Sequence, residues 1–256
     1  MRLHHFLTLL LLLFLLNHSS FAQVSGKATY TVTSELTLSK IMSNSDSLSK
    51  EMKDMIAVLD KKSGDGIIID FHFSPKATLC FYEEDMEKDD ERGVDIAKVK
   101  AQTMGKIYHD ISSETTYTQK ELEGSNFIIS KNIKDYKWQL LNESKVINDY
   151  NCYKAILEIQ LNRRGKKSAK VVEAWYTPSI PINSGPAGFA GLPGLIILLK
   201  DGKHTTFQMN QINFDSSGKK TKVKKPKKGK KITEAEYQQI SSAHFERRLN
   251  RRSKRN

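Results

Sequence analysis

The sequence predicts a mainly β protein with a minor α component: a curved antiparallel β-meander, forming an open or half barrel, with one or two helices packed on it. Two observations carry this prediction. Short segments rich in β-branched and apolar residues recur along the chain, separated by short polar turns. Asp201-Gly202 stands between two such segments, where both turn positions need positive φ, as is typical of a hairpin. Parallel strands would need long crossover connections instead.

Each predicted element rests on local composition or periodicity. Residues 27–36 are rich in β-branched residues, and residues 67–73 place Ile or Phe at every second position. Between these two strands, residues 47–59 carry apolar side chains at helical spacing and predict a helix. The strand pattern becomes regular further on and predicts strands at residues 127–129, 136–141, 145–149, 152–161, 170–176 and 195–199.

A stretch rich in glycine and proline precedes the last of these strands. Its glycines recur at three-residue intervals, at Gly185, Gly188, Gly191 and Gly194. Three such repeats are too few for a collagen helix, and no G-K-[ST] sequence follows to indicate a phosphate-binding loop. The prolines fix φ and cannot donate to a β-ladder, while residues 195–199 show no alternation, which predicts burial on both faces. We interpret residues 177–193 as an irregular crossover that clamps a core strand.

The same stretch resembles the GLPGLI family of exported proteins from Gram-negative bacteria. The motif residues are Gly185, Pro186, Gly191, Leu192, Pro193, Gly194, Leu195 and Ile196. Further matching segments, in the family's usual order, are Trp138-x-Leu140, Ile147, residues 150–155, residues 174–178, Ile180-Pro181 and Phe189. The resemblance covers about residues 25–250, most firmly residues 126–215. It implies an exported envelope protein. Because the family has no established activity, the resemblance implies no catalytic or binding residue.

The N-terminal residues predict export. Arg2 precedes an almost unbroken apolar run at residues 6–16, and Ser20-Phe21-Ala22 has the small-x-small pattern of a signal-peptide cleavage site. An apolar run of about eleven residues is too short to span a bilayer. We therefore expect cleavage near Ala22, no transmembrane span, and a mature protein in the periplasm or at the outer membrane.

The basic charge of the chain is concentrated at its C-terminal end. The chain has 41 Lys and Arg against 29 Asp and Glu, a net charge of +12, and residues 216–256 alone account for this excess. We divide the chain into a signal peptide at 1–22, a GLPGLI-type β domain at 23–215, and a lysine-rich connector with a basic C-terminal helix at 216–256. Thr233 and Glu236 have the spacing of a capping box and predict the start of that helix.

The basic segment also bears on the choice of partner. In an exported protein it suits an anionic surface such as lipid headgroups, and not nucleic acid. A disordered, solubilising tail is equally consistent with this composition. The predicted partners are therefore an envelope protein, a lipid or an anionic surface.

The sequence contains no recognisable catalytic or metal-binding motif. The histidines after the predicted signal peptide are widely spaced, and neither H-E-x-x-H nor G-x-S-x-G occurs; they are His72, His109, His204 and His244. We predict no catalytic residue, no metal and no cofactor, and we favour a binding protein over an enzyme. The alternative is an envelope hydrolase whose carboxylates converge on the concave face of the sheet.

Four aromatic residues near the meander and the crossover are candidate ligand contacts, namely Trp138, Trp175, Tyr176 and Phe189. They either pack in the core or form the floor of an apolar groove.

Cys80 and Cys152 are the only cysteines. In an oxidising compartment this pair either forms a disulfide or leaves two free thiols. Together the patterns predict a non-enzymatic binding or interaction module for an apolar or anionic ligand or an envelope partner.

Overall fold

The computed structural model describes residues 24–37, 40, 49–61, 66–83, 99–101, 104–163, 166–216 and 220–253. The predicted signal peptide lies outside these residues. None of the described helices is both long and apolar enough to cross a membrane.

Within this described part, twelve β-strands form one sheet. The strands are β1 (Gly26–Ser34), β2 (Ile67–Phe73), β3 (Ala77–Phe81), β4 (Lys106–Asp110), β5 (Thr115–Leu122), β6 (Ser125–Asn132), β7 (Gln139–Ile147), β8 (Tyr150–Arg163), β9 (Lys166–Thr177), β10 (Leu195–Asp201), β11 (Thr205–Phe214) and β12 (Lys230–Thr233). The helices are α1 (Lys50–Lys61) and α2 (Glu234–Ser253), and short 3-10 helices span Ile133–Asp135 and Pro186–Gly188.

The sheet is open and almost entirely antiparallel. Its strand order is β12-β6-β5-β4-β3-β2-β1-β11-β10-β9-β8-β7, so it does not close into a barrel. Neighbouring strands pair antiparallel except β12 and β6, which pair parallel. The structure thus confirms the predicted fold class, a mainly β protein with an open antiparallel sheet.

The sheet curls so that its two halves face each other. In the strand order, β4 and β8 are separated by six strands. Nevertheless Ile107 of β4 and Ile159 of β8 line the same pocket. The curl therefore creates a concave interior between the halves.

The main hydrophobic core lies in this interior. Every second residue of β1 is almost fully buried, as shown by Ala28, Tyr30 and Val32 at 1%, 0% and 0% exposure. The same alternation holds in β2, whose Ile69, Phe71 and Phe73 also pack into the main core cluster. Burying such side chains contributes roughly 1.5–3 kcal/mol each to folding.

The crossover between β9 and β10 fills much of the remaining interior. Its side chains Ile180, Ile182 and Leu192 are almost fully buried. Backbone hydrogen bonds tie it to the start of β10, because the N–H of Leu195 donates to the carbonyl of Ile180 at 3.0 Å. The crossover is therefore part of the core and not a surface loop.

Strand β10 is covered on both faces, as its unbroken apolar run predicts. Its residues Leu195, Ile196, Ile197 and Leu199 are all at 0% exposure. The Tyr30 hydroxyl donates to the Ile196 carbonyl at 2.7 Å, so a buried polar group of β1 is satisfied by this strand.

Gly194 lets the crossover pass close to the end of β9. Its φ is +153°, and a Cβ at this position would lie 2.1 Å from the carbonyl oxygen of Thr177. Only glycine fits such a close approach with that backbone conformation.

The predicted hairpin between β10 and β11 is confirmed, but its turn differs from the prediction. Asp201 is the last residue of β10, and only Gly202 of the Asp-Gly pair has a positive φ.

Strand β7 is one strand where the sequence predicted two. An irregularity in its pairing with β8 between Leu140 and Ser144 interrupts the alternation of side chains.

The C-terminal segment contributes to the sheet. Strand β12 adds to the edge at β6, and Ile232 packs with Phe127 and Ile129 in a second small core. The predicted capping box is confirmed, since the Glu236 N–H donates to the Thr233 Oγ1 at 3.2 Å and the Thr233 N–H donates to the Glu236 carboxylate at 2.6 Å. The domain boundary at residue 215 itself stays a prediction.

Candidate functional site

A pocket of about 740 Å³ opens between the two facing halves of the sheet. Strands β4, β5 and β6 form one wall, strands β8 and β9 form the other, and the first turns of α2 lie across one side. Ile107, Ile159 and Leu161 supply part of its apolar lining. This volume is within the range of sites that bind small organic ligands.

The floor of the pocket is an aromatic pair. Tyr136 and Phe189 stack with ring centroids 5.6 Å apart and an angle of 23° between the rings. Trp138 packs edge-on against Phe189 at 6.3 Å, and its Nε1 donates to the Ala190 carbonyl at 2.8 Å. Trp138 thus fixes the position of Phe189 from behind, without lining the pocket.

Lysines lie over both ends of this aromatic pair. The Lys131 ammonium is 4.6 Å from the centre of the Tyr136 ring, and the Lys170 ammonium is 5.8 Å from the centre of the Phe189 ring. Such cation–π contacts stabilise by about 0.5–1 kcal/mol at exposed sites and more where water is excluded. The floor is therefore apolar in the middle and cationic at its ends.

Asp201 is the buried acidic group of the pocket, with a side chain at 6% exposure. It forms salt bridges with Lys100 at 3.0 Å and with Lys170. Burial by itself would raise the pKa of this carboxyl, but the charges and hydrogen bonds of the two lysines outweigh burial and lower its pKa. Asp201 is therefore ionised and pairs with two of the pocket's lysines, and its single negative charge offsets one of the two positive charges.

Two further charged residues, Lys120 and Glu234, line the pocket, and Glu234 is the first residue of α2. Burial lowers the pKa of Lys120, Glu234 acts in the opposite direction, and Lys100 lowers it further. No salt bridge joins Lys120 or Lys131 to a carboxylate in the part of the chain that the structure describes. Of the described residues, four lysines and two carboxylates line the pocket, namely Lys100, Lys120, Lys131, Lys170, Asp201 and Glu234.

The structure separates the four aromatic residues that the sequence singled out. Phe189 lines the pocket, and Trp138 supports it. Tyr176 is buried at 6% exposure against Tyr153 and does not line the pocket. Trp175 follows Ala174 on β9, so it lies on the other face of that strand; it is buried at 7% exposure and does not line the pocket. There the Lys145 ammonium covers it at 4.0 Å from the ring centre.

Most of the pocket's polar residues were not predicted as site residues. Lys170 carried a usable signal, because it shares one face of β9 with the apolar residues Val172 and Ala174. A charged residue on the apolar face of a predicted strand indicates a polar site inside. Asp201 had been assigned to a turn, which concealed its role.

A small buried polar cluster lies beside the pocket. The Ser184 hydroxyl of the crossover is 3.2 Å from Nδ1 of His109 and 2.9 Å from the Thr78 hydroxyl. Burial lowers the pKa of His109 to about 4, and its Nε2 has no hydrogen-bond partner among the described residues. The cluster fastens the crossover to β3 and β4.

The geometry bears on the enzymatic alternative. Asp201 and Glu234 both line the pocket, but no described histidine does. The hydrogen-bond partner of His109 among the described residues is the Ser184 hydroxyl. No group of three His, Cys, Asp or Glu side chains in the described residues is arranged to hold a metal ion. The described lining of the pocket thus combines apolar contacts with lysines and two carboxylates.

Both cysteines are free and buried. Cys80 lies on β3 and Cys152 on β8, and five strands stand between these two in the sheet. In this structure they are two separate thiols, and the choice between a disulfide and two free thiols in the exported protein stays a prediction.

Comparisons with known proteins support the fold and one part of the sequence pattern. A family model described as a protein of unknown function (Porph_ging) matches residues 158–198, which include the glycine-proline crossover. No curated protein matches the chain significantly.

Solved structures give a more distant similarity. Two crystal forms of PNGF-II are similar to the chain at 14% identity and a TM-score of 0.50. The similarity covers 86% and 85% of this chain but only 33% and 32% of the PNGF-II chain. The chain therefore spans about a third of those proteins, and at this identity the similarity concerns the fold alone.

Proposed function

We propose that the protein is an exported, GLPGLI-type binding protein of the Gram-negative envelope, and that the pocket holds a ligand with an apolar part and an anionic part. The observation that carries this proposal is the pocket's composition: the stacked Tyr136 and Phe189 form its floor, and lysines surround them. An apolar group can displace water from the floor while an anionic group pairs with the lysines.

The proposed location draws on the sequence. The pattern of residues 1–22 supports export, and the motif at residues 191–196 supports the GLPGLI resemblance. Cell fractionation of the full-length chain tests this part, together with N-terminal sequencing of the mature protein. We expect mature protein in the periplasmic or outer-membrane fraction, starting near Gln23. Recovery of intact Met1 protein from the cytoplasm would contradict it.

Ligand binding can be followed with the chain's own fluorescence, because only two tryptophans are present. Trp138 contacts Phe189 of the pocket floor, whereas Trp175 lies on the opposite face. In the Trp175→Phe variant, the emission of Trp138 should change saturably when decanoate or octyl sulfate is added. The matched Trp138→Phe variant should show no such change.

Equal responses from the two variants would indicate nonspecific binding and would contradict the proposal. Native mass spectrometry of the protein isolated from the envelope adds an independent measurement. We expect a bound small molecule that is lost on denaturation. Ligand-free protein together with no response of Trp138 would overturn the proposed function.

The hydrolase alternative uses the same pocket and is less well supported. A general acid needs a raised pKa, whereas the two lysines lower the pKa of Asp201. Binding therefore explains the geometry better than hydrolysis does.

A further inference from the structure

The charges of the pocket narrow the class of ligand. Among the residues that the structure describes, four lysines and two carboxylates line it, an excess of two positive charges in a partly enclosed space. Ammonium groups that are partly removed from water without a counter-charge raise the free energy of the folded protein. An anion of matching charge that pairs with them offsets this desolvation cost. A ligand with a single negative charge would leave one of these cations unbalanced.

The four lysines differ in their partners within the described part of the chain. Asp201 is shared by Lys100 and Lys170, and the charge of Glu234 acts on Lys120 without a salt bridge. Lys120 and Lys131 lie on the neighbouring strands β5 and β6, and β-pairing places both on the face that lines the pocket. Lys120 of β5 pairs with Phe127 of β6, and Lys131 lies four residues after Phe127 on the same strand. The two lysines are therefore roughly 13 Å apart along the strands, at about 3.3 Å per residue. Two extended lysine side chains can converge on one group from that separation.

Tyr136, one of the two rings of the aromatic floor, also offers a neutral donor close to Lys131. Burial raises the pKa of its phenol, and the charges of Glu234 and Asp201 raise it further. The phenol therefore keeps its proton. No described group accepts a hydrogen bond from it, so its O–H is available to a ligand oxygen.

Building on the proposed binding function, we propose that the ligand is an amphipathic phosphate monoester. Its phosphate takes up the charges of Lys120 and Lys131 and accepts a hydrogen bond from Tyr136, and its apolar group lies against Phe189 and Ile107. A phosphate monoester carries close to two negative charges at neutral pH and has three acceptor oxygens, which matches two ammonium groups and one hydroxyl. Both a lipid headgroup and a small soluble ester have this chemistry.

The test compares two probes of nearly the same shape and different charge. Phenyl phosphate carries two negative charges above about pH 7, whereas methyl phenyl phosphate carries one. Binding to the Trp175→Phe protein is measured through Trp138 emission at pH 7.5. We expect phenyl phosphate to bind about tenfold more tightly, and this preference to fall as pH is lowered to 5.5 or as salt is raised.

Variants assign the preference to residues. Lys120→Met and Lys131→Met should each remove most of the preference for the doubly charged probe, and Tyr136→Phe should weaken phenyl phosphate about fivefold. Lys134→Met is the matched control, because Lys134 is exposed and pairs with Glu114 outside the pocket. It should leave both affinities unchanged.

Further probes separate the outcomes. Tighter binding of phosphatidic-acid vesicles than of hexyl phosphate identifies a lipid as the source, and the reverse order identifies a soluble ester. Equal affinity for the two phenyl probes would overturn the phosphate assignment. Tighter binding of octanedioate than of phenyl phosphate would overturn it too. Either result would leave the binding function intact. A Trp138 signal that responds to no anion would overturn the binding function itself.

Discussion

Gly194 controls how the crossover enters β10. Replacement by Ala would place a Cβ 2.1 Å from the Thr177 carbonyl at a φ of +153°, so the strand end or the crossover must move. We expect Gly194→Ala to lower the free energy of unfolding by about 3 kcal/mol, from overpacking and backbone strain combined. Urea unfolding followed by circular dichroism measures this change.

Gly124 provides the control for that substitution. It also has a positive φ, +75°, but no atom lies within 4 Å of the position of an added Cβ. Gly124→Ala should therefore cost only the backbone term, about 1 kcal/mol. Similar losses for the two variants would show that close approach at Thr177 is unimportant.

His109 makes stability depend on pH. Burial lowers its pKa from 6.5 to about 4 in the folded protein, so between these values the unfolded chain binds more protons than the native one. The contribution is complete above pH 6.5 and is lost as pH falls toward 4. It amounts to about 3 kcal/mol over the whole window.

The measurement compares urea unfolding of the wild type and His109→Gln at pH 7 and pH 4. Glutamine keeps a polar partner for Ser184 but does not titrate. We expect the wild type to lose about 3 kcal/mol more than the variant on acidification, because the other titrating groups are common to both proteins. An equal loss in both would exclude His109 as the source.

Strand β12 shows how one side chain can attach a whole element. Ile232 is its buried residue, and it packs with Phe127 and Ile129. Ile232→Ala should lower the free energy of unfolding by about 2–4 kcal/mol through lost burial and the cavity left behind. Lys231→Ala, at an exposed neighbouring position, should change it by less than about 0.5 kcal/mol.

Hydrogen exchange locates the effect of this substitution. With Ile232→Ala, the amides of β6 that face β12 should exchange faster than those of β9. Uniform acceleration across the sheet, or none, would contradict the view that β12 and α2 are held chiefly through this small core.

The strands that the sequence predicted most clearly are those with a strong local pattern of apolar residues. Strands β2, β8 and β10 have clear periodicity or an unbroken apolar run, because their burial is set by local pattern. Strand β5 was not predicted, since its Thr118 and Lys120 line a polar pocket where an apolar face would otherwise lie. Strand β12 has only one buried residue, so its existence depends on pairing with distant β6.

The candidate site follows the same rule. Phe189 could be selected from its type and its place in the crossover. The lysines could not, because their function depends on the curl that brings β5 and β6 opposite β9 and β10. Sequence spacing carries no information about which two strand faces meet across an open sheet.

At the scale of the whole molecule, packing without a cross-link holds the two halves together. Cys80 and Cys152 are both buried and unbonded, and burial raises the pKa of their thiols to about 12 and about 11. Buried thiols of high pKa react slowly. We expect both to react with a thiol reagent only when the protein unfolds, and dithiothreitol to leave the melting temperature unchanged.

Mass spectrometry of the exported protein without reducing agent is the decisive measurement for the thiols. A mass that matches two free thiols agrees with the structure. A mass lower by two hydrogens, with a melting temperature that falls on reduction, would show that a disulfide forms in the cell.

The two edges of the sheet differ in a way that governs how the molecule meets other chains. One edge ends at β12, a strand of four residues that begins with two lysines, which discourages a further strand. The opposite edge is β7, nine residues long, with mostly exposed side chains. Any additional strand, from a second copy or from a larger polypeptide that contains this fold, therefore finds unpaired main-chain groups at β7. A further strand is therefore expected to add at the β7 edge and not at the β12 edge.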